Sequence, residues 1–161
     1  GYFCESYNKK KLSNALKKEI TFVQDNYSLS NKNVLRGLHF QKKPKAQGKL
    51  IKVINGKIYD VILDIRKSSS TFMQWQGIEL SSENNCQIWI PEGFAHGFLA
   101  LTDKTEVIYK VTEYYDPKFE CTIRYNDPKL NVVWPEIKDA EYVISENDRK
   151  ANFLSEKILF E

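Results

Sequence analysis

The chain has 161 residues, 42% of them hydrophobic and 28% charged, which is enough for one domain with a real core. Its net charge of +3 suits an anionic small molecule but is too weak to argue for nucleic acid. No apolar run reaches membrane-spanning length, and three cysteines (Cys4, Cys86 and Cys121) without a C-x-x-C pair argue against a zinc ribbon or disulfide framework and for a reducing cytoplasm.

The chain opens on Gly1-Tyr2-Phe3 without an initiator Met. These residues read as the inside of a strand, and further residues are expected ahead of them. Residues 9–19 place Leu12, Ala15 and Leu16 on one side of a short amphipathic helix. From about Ile20 the pattern changes to strands. Residues 33–41 form a candidate strand carrying Val34, Leu38 and Phe40. Residues 49–54 and 57–65 flank Asn55-Gly56, a pair suited to the positive φ angles of a type I′ turn, so a hairpin is expected there. Further strands are expected over 74–80, 86–90, 96–101 and 107–115, with another starting at 124–127. Ser68-Ser69-Ser70, residues 81–85 and Asp116-Pro117 supply turns between them. Many strands joined by short turns, with almost no helix between, indicate a sandwich or barrel rather than a parallel α/β fold. Ser145-Glu146-Asn147-Asp148 can cap a closing helix of about two to three turns. With no repeat, linker or low-complexity tract, residues 1–161 read as one mainly β domain with small helices at its margins.

The chain has two histidines. His39 lies in Arg36-Gly37-Leu38-His39-Phe40-Gln41. Arg36 and His39 are three positions apart and would face opposite sides of a regular strand, but a bulge at Gly37 could bring both to one cavity. His96 follows the Pro91-Glu92-Gly93 turn, and Gly97 beside it allows a close approach. Either histidine could instead be a hydrogen-bonded structural residue. Two histidines with no H-x-H pair and no nearby third ligand argue against a metal site, since such sites take three or four ligands. Arg36, Lys49 and Lys52 could gather around a barrel mouth to hold a diphosphate, or form a solvated basic face, which suits Lys52 better. Tyr109 has the position of an amphipathic packing residue. Asp60 and Asp64 interrupt an apolar arm and want partners, a cation or a histidine.

Together these segments resemble the dTDP-4-dehydrorhamnose 3,5-epimerases of the cupin superfamily, nearly end to end. The resemblance runs through Phe3-Cys4-Glu5-Ser6-Tyr7-Asn8, Phe22-Val23-Gln24-Asp25-Asn26, the Arg36–Gln41 segment (residues 36–41) and Gln47-Gly48-Lys49-Leu50. It continues through Asp60-Val61, Asp64-Ile65-Arg66, residues 89–98, Tyr109-Lys110, Tyr114-Tyr115, Asn126-Asp127-Pro128, Trp134-Pro135 and Ser145-Glu146-Asn147-Asp148. The resemblance implies a jelly-roll barrel, and a homodimer that exchanges N-terminal strands. It implies no metal and no cofactor, and a nucleotide-linked 4-keto-6-deoxy sugar as substrate. Residue by residue, it implies His39 as general base with Asp148 as its carboxylate partner, Tyr109 as general acid on the opposite sugar face, and Lys49 near the enolate oxygen. Arg36, Gln24 and Glu5 match positions that hold the diphosphate and base; Asp60, His96 and Tyr115 match further pocket residues.

The sequence departs from the family in three places. The family carries an Asp-x-Arg just ahead of the position of Gly1, where this sequence begins; Met73 stands where glycine is common, and Asn147 stands where lysine is frequent. Alternative functions are an epimerase of one carbon only, acting on a related dTDP- or GDP-linked hexose or heptose, and a non-catalytic sugar-nucleotide-binding barrel. A metal-dependent cupin enzyme is disfavoured by the ligand count.

Overall fold

The computed structural model describes residues 1–138 and 140–160. Among these, the strands form two sheets. The first is ordered β1 (Gln24–Ser30), β8 (Thr105–Val111), β3 (Lys49–Asn55), β6 (Gln87–Ile90). The second is ordered β10 (Val143–Ile144), β2 (Val34–Gln41), β7 (Phe94–Ala100), β4 (Lys57–Asp64), β5 (Trp75–Ser81), with β9 (Glu120–Thr122) also paired to β2. All pairings are antiparallel except β10 with β2. This is the mainly β, jelly-roll arrangement expected. No described helix is long and apolar enough to cross a membrane.

The two sheets bury two different cores. Between them lie Ile51, Val53, Ile58, Leu80, Ile90, Phe98 and Val107. On the other face of the second sheet, Leu35, Leu38, Val61, Leu63 and Leu99 pack with Leu130, Trp134, Leu154 and Phe160 from the C-terminal segment. Strand β4 carries apolar residues on both of its faces. Ile58 and Ile62 face the inter-sheet core while Val61 and Leu63 face the C-terminal segment, so both faces are covered.

The same double coverage corrects the expected hairpin at Asn55-Gly56. Strands β3 and β4 belong to different sheets, so the pair turns the chain from one sheet to the other. Gly56 has φ +81°, but Asn55 is not in the left-handed region, and a type I′ turn needs both. Glycine is required because a Cβ at position 56 would lie 2.4 Å from Thr102 Oγ1.

Several boundaries also move. Helix α1 covers Lys9–Leu16 and stops where Lys17 adopts φ 51° and Lys18 N–H returns to the Ser13 carbonyl, a left-handed helix stop. Helix α2 covers only Glu146–Lys150, a little over one turn, because Asn152 is drawn into a bridge with Ile123. Its cap is the expected Ser145, whose Oγ accepts from Asp148 N–H at 3.1 Å. Residues 1–3 and 124–127 form no strand; β9 lies just before the latter. Strand β8 ends at Val111 rather than reaching residue 115, as the chain leaves the sheet to reach the cavity rim.

Candidate active site

A cavity of about 360 Å³ opens between the sheets, lined from the second sheet by Arg36, His39 and His96 and from the first by Asn26, Lys49 and Tyr109. Strand β2 brings Arg36 and His39 to the same side by the expected irregularity. Its pairing with β7 shifts register between these two residues. Leu35 and Leu38, also three apart, consequently share the opposite, apolar face. The bulge needs glycine twice. Gly37 has φ +112°, and a Cβ there would lie 2.6 Å from Gly97 Cα; a Cβ on Gly97 would lie 2.5 Å from the Arg36 carbonyl oxygen.

The two histidines face each other across β2 and β7, and each has a carboxylate behind it. His39 Nε2 is 2.6 Å from Asp148 Oδ1, and Asp148 Oδ2 accepts from Gly37 N–H at 3.2 Å. Burial pushes the Asp148 carboxyl up, but hydrogen bonds from His39, Gly37 and Ser145 outweigh it and hold the group below the usual carboxylate range. An ionised carboxylate only accepts, so the imidazole proton sits on Nε2 and the Nδ1 lone pair is left as the basic atom. His96 Nε2 is 2.7 Å from Oδ2 of Asp60, which is fully buried. Asp60 thus sits behind His96 and fixes its ring rather than lining the cavity.

Lys49 is a buried cation whose Nζ donates to the His39 carbonyl oxygen at 3.2 Å. Burial lowers its pKa to about 8, against the upward pull of Asp60 and Glu120. Tyr109 faces His39 from the opposite sheet. Burial raises its pKa, Glu120 adds to this and Arg36 opposes it, so the phenol keeps its proton at neutral pH. Arg36 Nε donates to Ser30 Oγ at 3.2 Å. A base on one wall, a proton donor on the other and an ammonium beside the base can remove a proton next to a carbonyl, hold the resulting oxyanion and return a proton from the other side.

Other candidates lie at the rim or outside. Tyr115 lines the cavity, with its hydroxyl donating to Glu120 at 2.8 Å. Gln24 holds the Tyr115 segment through a 3.0 Å bond from Tyr115 N–H. Glu5 is not at this cavity; it pairs with Lys11 and Asn8 on the outer side of the first sheet. Among the described residues, no three His, Cys, Asp or Glu side chains gather as a metal site.

Sequence reasoning assigned no role to Asn26, Ser28, Gln41, Gln47 or Glu120. Gln41 ties the rim together, donating to the Lys45 and Tyr114 carbonyls and accepting from Asp116 N–H. Gln47 Nε2 donates to the Glu113 carbonyl at 2.8 Å. The available signal was the alternation of β1, whose inward residues Gln24, Asn26, Ser28 and Ser30 are all polar while Tyr27 and Leu29 point outward. A polar inner face in a barrel strand marks a site rather than core.

The sequence profile of the dTDP-4-dehydrorhamnose 3,5-epimerases matches residues 1–156. The chain is 48% identical over 161 residues to the dTDP-4-dehydrorhamnose 3,5-epimerase of Salmonella typhimurium, covering all of this chain and 87% of that protein. It superposes with a TM-score of 0.94 on the dTDP-6-deoxy-D-glucose-3,5-epimerase of Legionella pneumophila, solved with dTDP-4-keto-L-rhamnose; that pair is 43% identical and covers 100% of this chain and 86% of the other. The enzyme of Bacillus anthracis, solved with TDP and PPi, gives a TM-score of 0.90 at 49% identity, covering 96% of this chain and 86% of that one. With the profile match and the similarity over the whole of this chain in agreement with the fold, the chain belongs to the dTDP-4-dehydrorhamnose 3,5-epimerase family.

Proposed function

We propose that this protein is a dTDP-4-dehydrorhamnose 3,5-epimerase, inverting C3 and C5 of dTDP-4-dehydro-6-deoxy-D-glucose on the route to dTDP-L-rhamnose. The observation that carries this reading is the placement of the His39–Asp148 pair and the Tyr109 hydroxyl on facing walls of one cavity. His39 Nδ1 removes the proton from a carbon beside the C4 ketone. The electron pair moves onto the ketone oxygen, where the Lys49 ammonium, about 90% protonated at pH 7, stabilises the enolate. Tyr109 returns a proton to the other face, which inverts the centre. His39 then releases its proton and Tyr109 is reprotonated before the second carbon reacts. Arg36 holds the diphosphate, His96, oriented by Asp60, supplies a polar contact to the sugar, and Tyr115, placed by Gln24, flanks the nucleotide at the rim. The chemistry calls on neither a metal nor a nicotinamide.

The active form in this reading is a cytoplasmic homodimer with exchanged N-terminal segments. Strand β1 is a sheet edge, and its outward residues Tyr27 (61% exposed) and Leu29 (54%) form an apolar surface suited to a second copy. Phe3 is 96% exposed and Glu5 lies away from its own cavity, as expected of residues that complete a neighbour's site. Elution as a monomer from a sizing column would contradict the dimer.

The test of the activity is product trapping. Purified protein is incubated with the 4-keto-6-deoxyglucose nucleotide, a 4-keto reductase and its nicotinamide donor, and the product configuration is read by NMR. The L-rhamno product is expected. A product inverted at one carbon would replace this reading with a single epimerase, and unchanged D-configured sugar would remove catalysis altogether.

A further inference from the structure

Among the described residues, three buried side-chain atoms have no hydrogen-bond partner: Ser28 Oγ, Asp60 Oδ1 and Arg124 Nε. Buried polar groups are nearly always paired, so an orphan beside a cavity asks which missing molecule would pair with it. Ser28 is the one of the three whose residue lines the cavity.

Its place along β1 narrows the answer. Asn26, two residues before it on the same inner face, stands opposite Tyr109 in the neighbouring strand. Ser30, two residues after it, accepts the hydrogen bond from Arg36 Nε. Ser28 therefore lies between the row of the proton-returning phenol and the row of the anion-binding guanidinium, about 7 Å from each along the strand. The substrate has the same order. Its diphosphate hangs from C1, its reacting carbons are C3 and C5, and the hydroxyl between C1 and C3 is the one on C2.

We propose that Ser28 is a specificity-determining residue that pairs with the C2 hydroxyl of the bound hexose and so selects against 2-deoxy sugars. This rests on the assignment of Arg36 and Tyr109 given under Proposed function. The Ser28 Oγ is itself buried although its residue lines the cavity, so in this proposal a turn about χ1 brings the hydroxyl to the sugar. A hydroxyl can donate to or accept from another hydroxyl, so the pair forms in either sense.

The test compares two substrates in two proteins. The substrates are the dTDP-linked 4-keto-6-deoxyglucose and its 2-deoxy analogue; the proteins are wild type and Ser28→Ala. Wild type is expected to process the 2-deoxy analogue about tenfold less efficiently in kcat/KM, the value of one neutral hydrogen bond. Ser28→Ala should lose about tenfold on the parent sugar and nothing on the analogue, bringing the ratio near one. If Ser28→Ala fails to fold in a thermal melt, Ser28→Cys keeps the volume with a much weaker donor and is expected to bring the same ratio down. An unchanged ratio in the variant, or an equal loss on both sugars, overturns the role of Ser28 while leaving the epimerase reading intact. A wild-type protein that turns over neither sugar removes the reading on which the proposal rests.

Discussion

Replacing Asp148 by Asn keeps the shape of the side chain and removes its charge. Two bonds decide the outcome. Oδ2 accepts from Gly37 N–H at 3.2 Å and Oδ1 faces His39 Nε2 at 2.6 Å. An amide has one acceptor oxygen, and Gly37 N–H, buried in the β2 bulge, can only donate. The amide oxygen must therefore turn to Gly37, and the NH2 group turns to His39. Nε2 must then accept, which moves the imidazole proton to Nδ1 and removes the lone pair that faces the cavity. Losing the charged partner alone is worth about 1.5–3 kcal/mol, or roughly 10- to 100-fold in rate. With the wrong tautomer added, kcat should fall about 10²- to 10⁴-fold. KM should change little, because Asp148 is not among the residues lining the cavity. Stability should fall by only about 1 kcal/mol, since the Gly37 bond survives. The assay is steady-state turnover with a parallel thermal melt. An Asp148→Asn protein that melts normally and keeps kcat within about threefold of wild type would refute this assignment of the base and its tautomer.

Three further outcomes are expected. Because the Lys49 pKa is lowered to about 8 by burial, kcat/KM should decline above that pH as the ammonium is lost, and Lys49→Arg should abolish this alkaline limb even if its absolute rate is lower; an unmoved limb would assign the titration to another group. Tyr109→Phe should leave His39 able to remove a proton but not to deliver one from the far face, so substrate incubated in D2O should gain label with retained configuration, and full inversion by this variant would remove Tyr109 as the acid. Asp64 is buried, which pushes its carboxyl up, but bonds from Arg66, Ser69 and Thr71 hold it well below the ordinary value of 3.8. A lowered folded pKa gives stability that is fully present above about pH 4 and is lost as pH falls through the folded value. Asp64→Ala should therefore cost about 3 kcal/mol near neutral pH and much less in strong acid, read from urea midpoints at the two pH values.

The two-sheet architecture was legible because alternation and turn residues recur along the chain, and because the motifs resemble one family from end to end. Local physics also anticipated that Gly37 could place Arg36 and His39 on one wall. What local physics could not supply was partnership across the fold. Asp148 is 109 positions from His39, and no periodicity links them; only the family resemblance named the pair. The Asn55-Gly56 turn misled for a related reason. A two-residue turn says that the chain reverses, but which sheet each arm joins depends on what covers its faces, and the apolar C-terminal segment that covers β4 lies far away in sequence. The position of Glu5 was equally hidden, because what places it against the outer side of the first sheet, near Leu50, Gln87 and Trp89, is distant in sequence. The polar inner face of β1, by contrast, was present in the alternation of Gln24, Asn26, Ser28 and Ser30 and could have been read directly.

The central claim is that one cavity removes and returns protons at two carbons flanking a ketone. Solvent deuterium incorporation into the dTDP-linked 4-keto-6-deoxyglucose, followed by NMR with purified wild-type protein, tests it most directly. The account predicts label at both C3 and C5 in the inverted product, and loss of both signals in His39→Ala. Label at neither carbon with the folded wild-type protein, or undiminished label in His39→Ala, would contradict it.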